Sequence, residues 1–152
     1  MKIMILAIGR MQQDSTKAIY SEYMRRVPWA HELKEFKESR PLNRLERSEK
    51  ESRMLVNAIP TNSKVVALHQ DGKMLSSNEF AVKIGAWCDL GAPCISFLIG
   101  GAEGHSSLVL KRADLILSFG PMVWPHLMAR VMLSEQLWRS AAILTGHPYH
   151  RA

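Results

Sequence analysis

The segment HPYHRA places His147, Tyr149, His150 and Arg151 around the stiff Pro148, directly after a helix-like run that ends AAILTG. Two imidazoles, a phenol and a guanidinium can together accept a proton, stack on or hydrogen-bond a planar group, and hold an anion. Chain ends are ordinarily frayed and cheap to lose. This concentration of chemistry points to a bound partner rather than to folding. Gly146 can end the preceding helix and Pro148 prevents its continuation, so the side chains that follow are presented at a fixed place. Arg130 and Arg139 lie on the otherwise apolar stretch PHLMARVMLSEQLWRS. There a long cationic side chain needs an anion or an edge to reach.

A second concentration lies at three strand ends: Leu68 and His69 before QDGK, Gly100 to Gly104 as GGAEG, and Phe119 to Pro125 as FGPMVWP. Glycines admit a ligand close to the backbone, and prolines hold a loop open without a strand's hydrogen bonds. Ligands of open α/β sheets bind beyond the carboxyl ends of the strands. Together these ends predict a small-molecule pocket read mainly by main-chain groups. GGAEG lacks the spacing of a dinucleotide fingerprint and follows a late strand, and neither a P-loop nor a G-x-S-x-G elbow is present. His147, His150 and His126 have metal-like spacing, but no carboxylate or thiolate shares their segment, so no metal is expected. His31 and His105 read as surface or loop residues, Met122, Met128 and Met132 as packing, and Arg40, Arg44 and Arg47 as a solvated helix face.

The elements that must carry these residues alternate. KIMILAIG, ELKEF, KVVALH, CISFLI and DLILS read as strands, with QDGK a turn after the third. Between them lie helices over DSTKAIYSEYMRRV, PLNRLERSEKESRMLVNAI, the run opened by the Ser76/Glu79 capping box, SSLVLKRA, and HLMARVMLSEQLWRSAAILTG. The second, polar outside its few apolar positions, is expected on the outside. Uninterrupted apolar strands separated by helices indicate an α/β three-layer sandwich around a mostly parallel sheet. The 152 residues are of one-domain size, and 47% hydrophobic with 22% charged is a globular composition. MKIMILAIGRM only imitates a secretory leader, no stretch reaches membrane-spanning length, and Cys88 and Cys94 form no C-x-x-C pair. A cytoplasmic protein with reduced thiols and no membrane is expected. The net charge of +6 favours an acidic partner, most simply nucleic acid, but it is spread thinly: 12 Lys or Arg against 8 Asp or Glu in residues 1–60, and 8 against 6 in the rest.

At FLIGGAEG, the loop from LS to PH, RVMLSEQLWR and HPYHR, the chain closely resembles the small bacterial rRNA methyltransferases of the RlmH type, in the SPOUT superfamily. AIGRM, YSEYMRR and DGKMLSSNEFA fit as well, so the resemblance covers nearly the whole chain, residues 1–152. It implies a homodimer of one SPOUT domain per chain with a C-terminal trefoil knot. It further implies S-adenosylmethionine as methyl donor and, as substrate, N3 of a pseudouridine in 23S rRNA on the assembled ribosome, without a metal. Carried over residue by residue, the cofactor loops are Leu68, Gly101, Gly120, Pro121, Met122, Val123, Trp124 and Pro125. Val123 stands where many relatives have a threonine, so a side-chain contact there is lost while backbone contacts survive. Arg139, His147, Tyr149, His150 and Arg151 fall to the catalytic side. Tyr149 would stack on or hydrogen-bond the base, Arg151 hold phosphate, Arg139 hold phosphate or the imide anion, and His147, His150 or solvent take the proton. A ribosome-binding factor that keeps the pocket without turnover, and a relative that methylates another RNA position, are the alternative classes.

Overall fold

The computed structural model describes residues 1–151. Five strands and five helices follow one another as β1 (Lys2–Ile8), α1 (Ser15–Arg26), β2 (Ala30–Phe36), α2 (Arg44–Asn57), β3 (Lys64–Met74), α3 (Ser77–Asp89), β4 (Cys94–Ile99), α4 (Ser107–Arg112), β5 (Leu115–Ser118) and α5 (His126–Thr145). The strands form one sheet in the order β2-β1-β4-β3-β5, and every neighbouring pair is parallel. Along β1, Ile3, Ile5 and Ala7 face a core shared with α1, α3 and α5, while Met4, Leu6 and Ile8 face a second core shared with α2 and α4. A strand apolar on both faces is what a sheet covered on both sides requires. The three-layer α/β architecture follows.

Two element boundaries differ from the sequence expectation. QDGK is no turn, because β3 runs through it to Met74. The ladder with β5 slips there, Leu117 facing both Leu68 and Lys73. Gly72 permits this, since a Cβ at that position would stand 2.8 Å from the backbone of Ile116 and Leu117. α2 begins at Arg44 rather than at Pro41, because Asn43 and Glu46 close a capping box: the Asn43 side chain accepts the Glu46 N–H at 2.9 Å, and Glu46 accepts the Asn43 N–H at 3.3 Å.

α5 is positioned at both ends. From β5, at the sheet edge, the chain crosses the ends of β3 and β4 to start α5 beside the end of β1. The anion and edge that Arg130 needs are internal. Its fully buried guanidinium donates to Glu35 Oε1 at 2.7 Å and to the carbonyls of Ile8 and Gly9 at 2.6 and 2.8 Å. Truncating one partner of such a buried pair costs about 3–5 kcal/mol, so Arg130 is an anchor of the fold. At the other end Gly146 adopts φ 67°, and the His147 N–H returns to the Ala142 carbonyl at 2.9 Å. This left-handed stop turns the chain back along its own helix.

Candidate active site

The carboxyl ends of β3, β4 and β5 surround a cavity of about 720 Å³. Of the eight residues that the resemblance assigns to the cofactor loops, Leu68, Gly101, Gly120, Met122, Val123, Trp124 and Pro125 line it and Pro121 does not. Its remaining wall includes Gln70, Gly104, His105 and His126, and among the described residues it has no lysine or arginine. Gly120 holds φ +110°, a conformation that favours glycine, and its N–H is accepted by Ser118 Oγ at 3.0 Å. The same hydroxyl donates to the Gln70 carbonyl at 2.8 Å, stitching the β5 loop to β3.

His105 lies in the loop between β4 and α4, within the surface-or-loop expectation, but its ring is turned inward. Its Nε2–H donates to the Leu98 carbonyl at 3.2 Å, Nδ1 is buried without a partner, and burial pushes its pKa down to about 4. Burial and nearby Arg130 also lower that of His126. The cavity is therefore lined by neutral imidazole at His105, with Glu103 held by Arg44 at 2.7 Å.

α2 lies on the outside as expected, with Arg44, Glu46, Arg53 and Asn57 exposed, but part of its polar surface is covered. Ser48, Glu51 and Ser52 are buried beneath the 101–106 loop, where Ser48 Oγ donates to the Gly104 carbonyl at 3.3 Å and Ser52 Oγ accepts the Ser106 N–H at 2.8 Å. A Cβ on Gly101 would meet Glu51 Oε2 at 2.9 Å and Ile8 at 3.0 Å, neither of which lines the cavity. Glycine there lets the loop lie on its support. Arg40 and Arg47 are tied down too, Arg40 to Glu38 and Arg47 to the Glu38 and Arg40 carbonyls.

The tail folds back onto α5. Tyr149 packs at 5.5 Å from Trp138, His147 packs edge-on to the same ring at 5.2 Å, and the Arg139 guanidinium lies 4.9 Å over Tyr149. Arg139, His147, Tyr149 and His150 are thus brought together, whereas Arg151 is exposed beyond them. None of the five lines the strand-end cavity. The Tyr149 hydroxyl donates to Glu135 Oε1 at 2.9 Å, and burial with that carboxylate pushes its pKa up. His147 Nδ1 accepts the Tyr149 N–H at 3.1 Å, and His150 Nδ1 accepts from Arg139 at 3.4 Å. Neither donor can act as an acceptor, so each neutral ring carries its proton on Nε2.

A second cavity, of about 570 Å³, lies between α1, α3 and α5 and shares Leu117, Phe119 and Gly120 with the wall of the first. Glu135 stands on its wall, six residues after Ala129 of the first cavity's lining and so roughly 9 Å further along the α5 axis. Met122 and Met128 are open rather than packed, and Ile19, Met74, Val123 and Trp124 are exposed with them. Their apolar character signalled packing, but the described residues supply no cover for them.

A glycine-bearing cavity beyond the carboxyl ends of a parallel sheet is the place where open α/β folds bind ligands, and the comparisons with known proteins give the class. Residues 1–150 match the family described as predicted SPOUT methyltransferase. The chain is 44% identical over 151 residues to a ribosomal RNA large subunit methyltransferase H from Paramagnetospirillum magneticum, covering 99% of each. It is 41% identical over 152 residues to the protein of that name from Rhodospirillum centenum, covering 100% of each. Among solved structures, a probable methylase family protein from Haemophilus influenzae shares the fold at TM-score 0.59 and 13% identity, covering 99% of this chain and 70% of that one. A probable methyltransferase from Bordetella pertussis does so at 0.57 and 11%, covering 91% and 95%. The chain belongs to the SPOUT methyltransferases and, within them, to the ribosomal RNA large subunit methyltransferase H family.

Proposed function

We propose that this protein is an S-adenosylmethionine-dependent methyltransferase of large-subunit rRNA, acting at N3 of a pseudouridine in 23S rRNA on the assembled ribosome. The observation that carries the reading is the strand-end cavity. Its walls are glycine backbone, apolar side chains, the polar His69, Gln70 and His126, the Glu103 carboxylate and the neutral His105 imidazole, without lysine or arginine among the described residues. That lining fits a cationic sulfonium donor, which a cationic wall would repel. Leu68, Gly101, Gly120, Met122, Val123, Trp124 and Pro125 would hold it, with Pro121 stiffening the loop. When bound, the donor supplies an electrophilic methyl group for in-line displacement, a reaction that asks the protein for alignment and a dry site.

The tail supplies the RNA side. Tyr149 offers a ring face and Arg151 a free guanidinium for phosphate. Arg139 lies over the same ring, next to the position a base would take. With the Tyr149 hydroxyl donating and both imidazole Nδ1 atoms accepting, water takes the imide proton. Homodimerisation is supported by the exposed apolar residues Ile19, Met74, Met122, Val123, Trp124 and Met128, which a second copy would cover. The thin spread of charge supports an assembled target, because few phosphates can be neutralised on any one face. The described residues form no helix long and apolar enough to cross a membrane. A cytoplasmic site of action, beside the ribosome, completes the proposal, as does one SPOUT domain over residues 1–152.

The test is methyl transfer from radiolabelled S-adenosylmethionine to ribosomes and to protein-free 23S rRNA, with the modified nucleotide mapped by mass spectrometry and the oligomeric state read by light scattering. The reading expects a dimer that labels one pseudouridine, far faster on ribosomes. A protein that binds ribosomes without transferring a methyl group, or one that labels another position, refutes it.

A further inference from the structure

Glu135 lies within RVMLSEQLWR and was given no role by the sequence. Its side chain is 17% exposed and carries an unusual load. Oε1 accepts from Arg139 Nε at 2.9 Å, from the second guanidinium nitrogen at 2.5 Å, and from the Tyr149 hydroxyl at 2.9 Å. Oε2 accepts from Gln136 Nε2 at 2.7 Å. Gln136 Oε1 in turn accepts from Ser77 Oγ at 2.8 Å, at the first turn of α3. Ser77, Glu135 and Gln136 all stand on the wall of the second cavity, which shares Phe119 and Gly120 with the wall of the first.

We infer that Glu135 is a positioning residue for methyl transfer: its carboxylate fixes the Tyr149 ring and the Arg139 guanidinium in one arrangement and ties the tail, through Gln136 and Ser77, to the body that forms the cavity. The inference rests on the tail taking part in the proposed reaction. Past the glycine stop at Gly146, the aromatic contacts of Trp138 with His147 and Tyr149 are non-directional grips, whereas the Glu135 hydrogen bond sets the rotation and depth of the Tyr149 ring. Arg139 without Glu135 would be a mobile cation; paired, it is held over the ring at 4.9 Å. Three donors converge on Oε1 and one binds Oε2, so the carboxylate is held at both oxygens and acts through the neighbours it holds. A reacting group held within about half an ångström reacts far better than one left to find its place.

The test is a double-mutant cycle of Glu135→Gln and Tyr149→Phe in the full-length protein, with deletion of residues 147–152 as the reference. Steady-state kinetics on ribosomes are read together with S-adenosylmethionine affinity and hydrogen exchange of the Tyr149 and α5 amides. Glu135→Gln should lower kcat about 10- to 100-fold, with the KM for ribosomes and the cofactor Kd within about twofold. Exchange at Tyr149 should quicken while exchange within α5 stays unchanged, which shows that the fold is intact. Because both variants break the same link, the double variant should be no worse than Glu135→Gln alone within about twofold. Unimpaired turnover of Glu135→Gln, in a protein whose tail deletion is inactive, overturns the inference and leaves the proposed function standing. Fully additive losses also overturn it. A tail deletion that transfers methyl groups at the intact rate removes the tail from the reaction, and the inference falls with that part of the proposal.

Discussion

At the strand ends, the cavity is shaped by backbone: four glycines in its wall, a Ser118 hydroxyl bridging two main-chain groups, and a loop lying on the buried Ser48, Glu51 and Ser52. At the far end of α5, the tail is organised by side chains, with Glu135, Arg139, Trp138, His147 and Tyr149 touching one another around a single glycine stop. A backbone-built site tolerates many side-chain changes but not a change of conformation. A side-chain cluster behaves in the opposite way. The difference teaches where each half of the proposed reaction is vulnerable: donor binding at a few glycines, catalysis at individual side chains.

The largest expected effect separates the halves outright. Deleting residues 147–152 should lower methyl transfer to ribosomes by at least about 100-fold while S-adenosylmethionine affinity, read by calorimetry, changes by less than a few-fold. It should also cost about 1–2 kcal/mol of stability in denaturant titration, because the Tyr149 hydrogen bond and the Trp138 contacts go with it. A tail deletion that loses cofactor binding in step with turnover would merge the two sites into one.

Next in size is Gly120→Ala. A Cβ there meets nothing within 4 Å, so the whole effect comes from φ +110°, which an alanine rarely adopts and which costs about 1–3 kcal/mol. Cofactor affinity should fall about tenfold, the low end of that range, and kcat at saturating cofactor should stay near normal. Unchanged affinity would show that the loop's conformation does not matter and that side chains read the ligand.

Smaller effects are expected from His147→Ala and His150→Ala. Loss of a general base ordinarily costs about 10²–10⁴ in rate. With both Nδ1 atoms already accepting hydrogen bonds, each change should cost less than about tenfold in single-turnover rate, a scale set well below that of a lost base. A hundredfold loss from either would identify the base and show that the tail rearranges on the ribosome.

The smallest effect is acidic. His105 supports the cavity loop as a neutral ring with a pKa near 4 against an ordinary 6.5, so between those values the unfolded chain binds the extra proton. The stability it contributes is complete above about pH 6.5 and is lost as pH falls toward 4. Glu38, held down to about 2 by Arg40, gives way lower, between 4.5 and 2. His105→Asn should flatten the first limb of a Tm-against-pH curve and leave the second. Curves that superimpose would remove His105 from the acid response.

Much of this layout was legible in the sequence because it depends on local chemistry. Apolar runs of strand length, the Ser76/Glu79 box and the Gly146–Pro148 stop each carry their own instruction, and the three strand ends at 68–69, 100–104 and 119–125 hold thirteen of the cavity's lining residues. Asn43 and Glu46 were equally readable as a cap, yet Pro41 drew the helix start toward itself. Other features had no local signal. Glu135 is an ordinary helical glutamate until the tail folds back fourteen residues later, and part of the polar surface of α2 looks solvated until the 101–106 loop covers it.

What the amino-acid sequence determined by itself was the set of elements, their alternation, and the backbone freedom at the cavity, since propensity, periodicity and glycine conformation act within a few residues. What only the tertiary structure decided was which polar groups meet across long separations. Arg130 finds Glu35 across 95 residues, and His105 loses its charge because the chain buries it beside Leu98. Such pairings and shifts come from desolvation and from contacts that exist only once the sheet is closed.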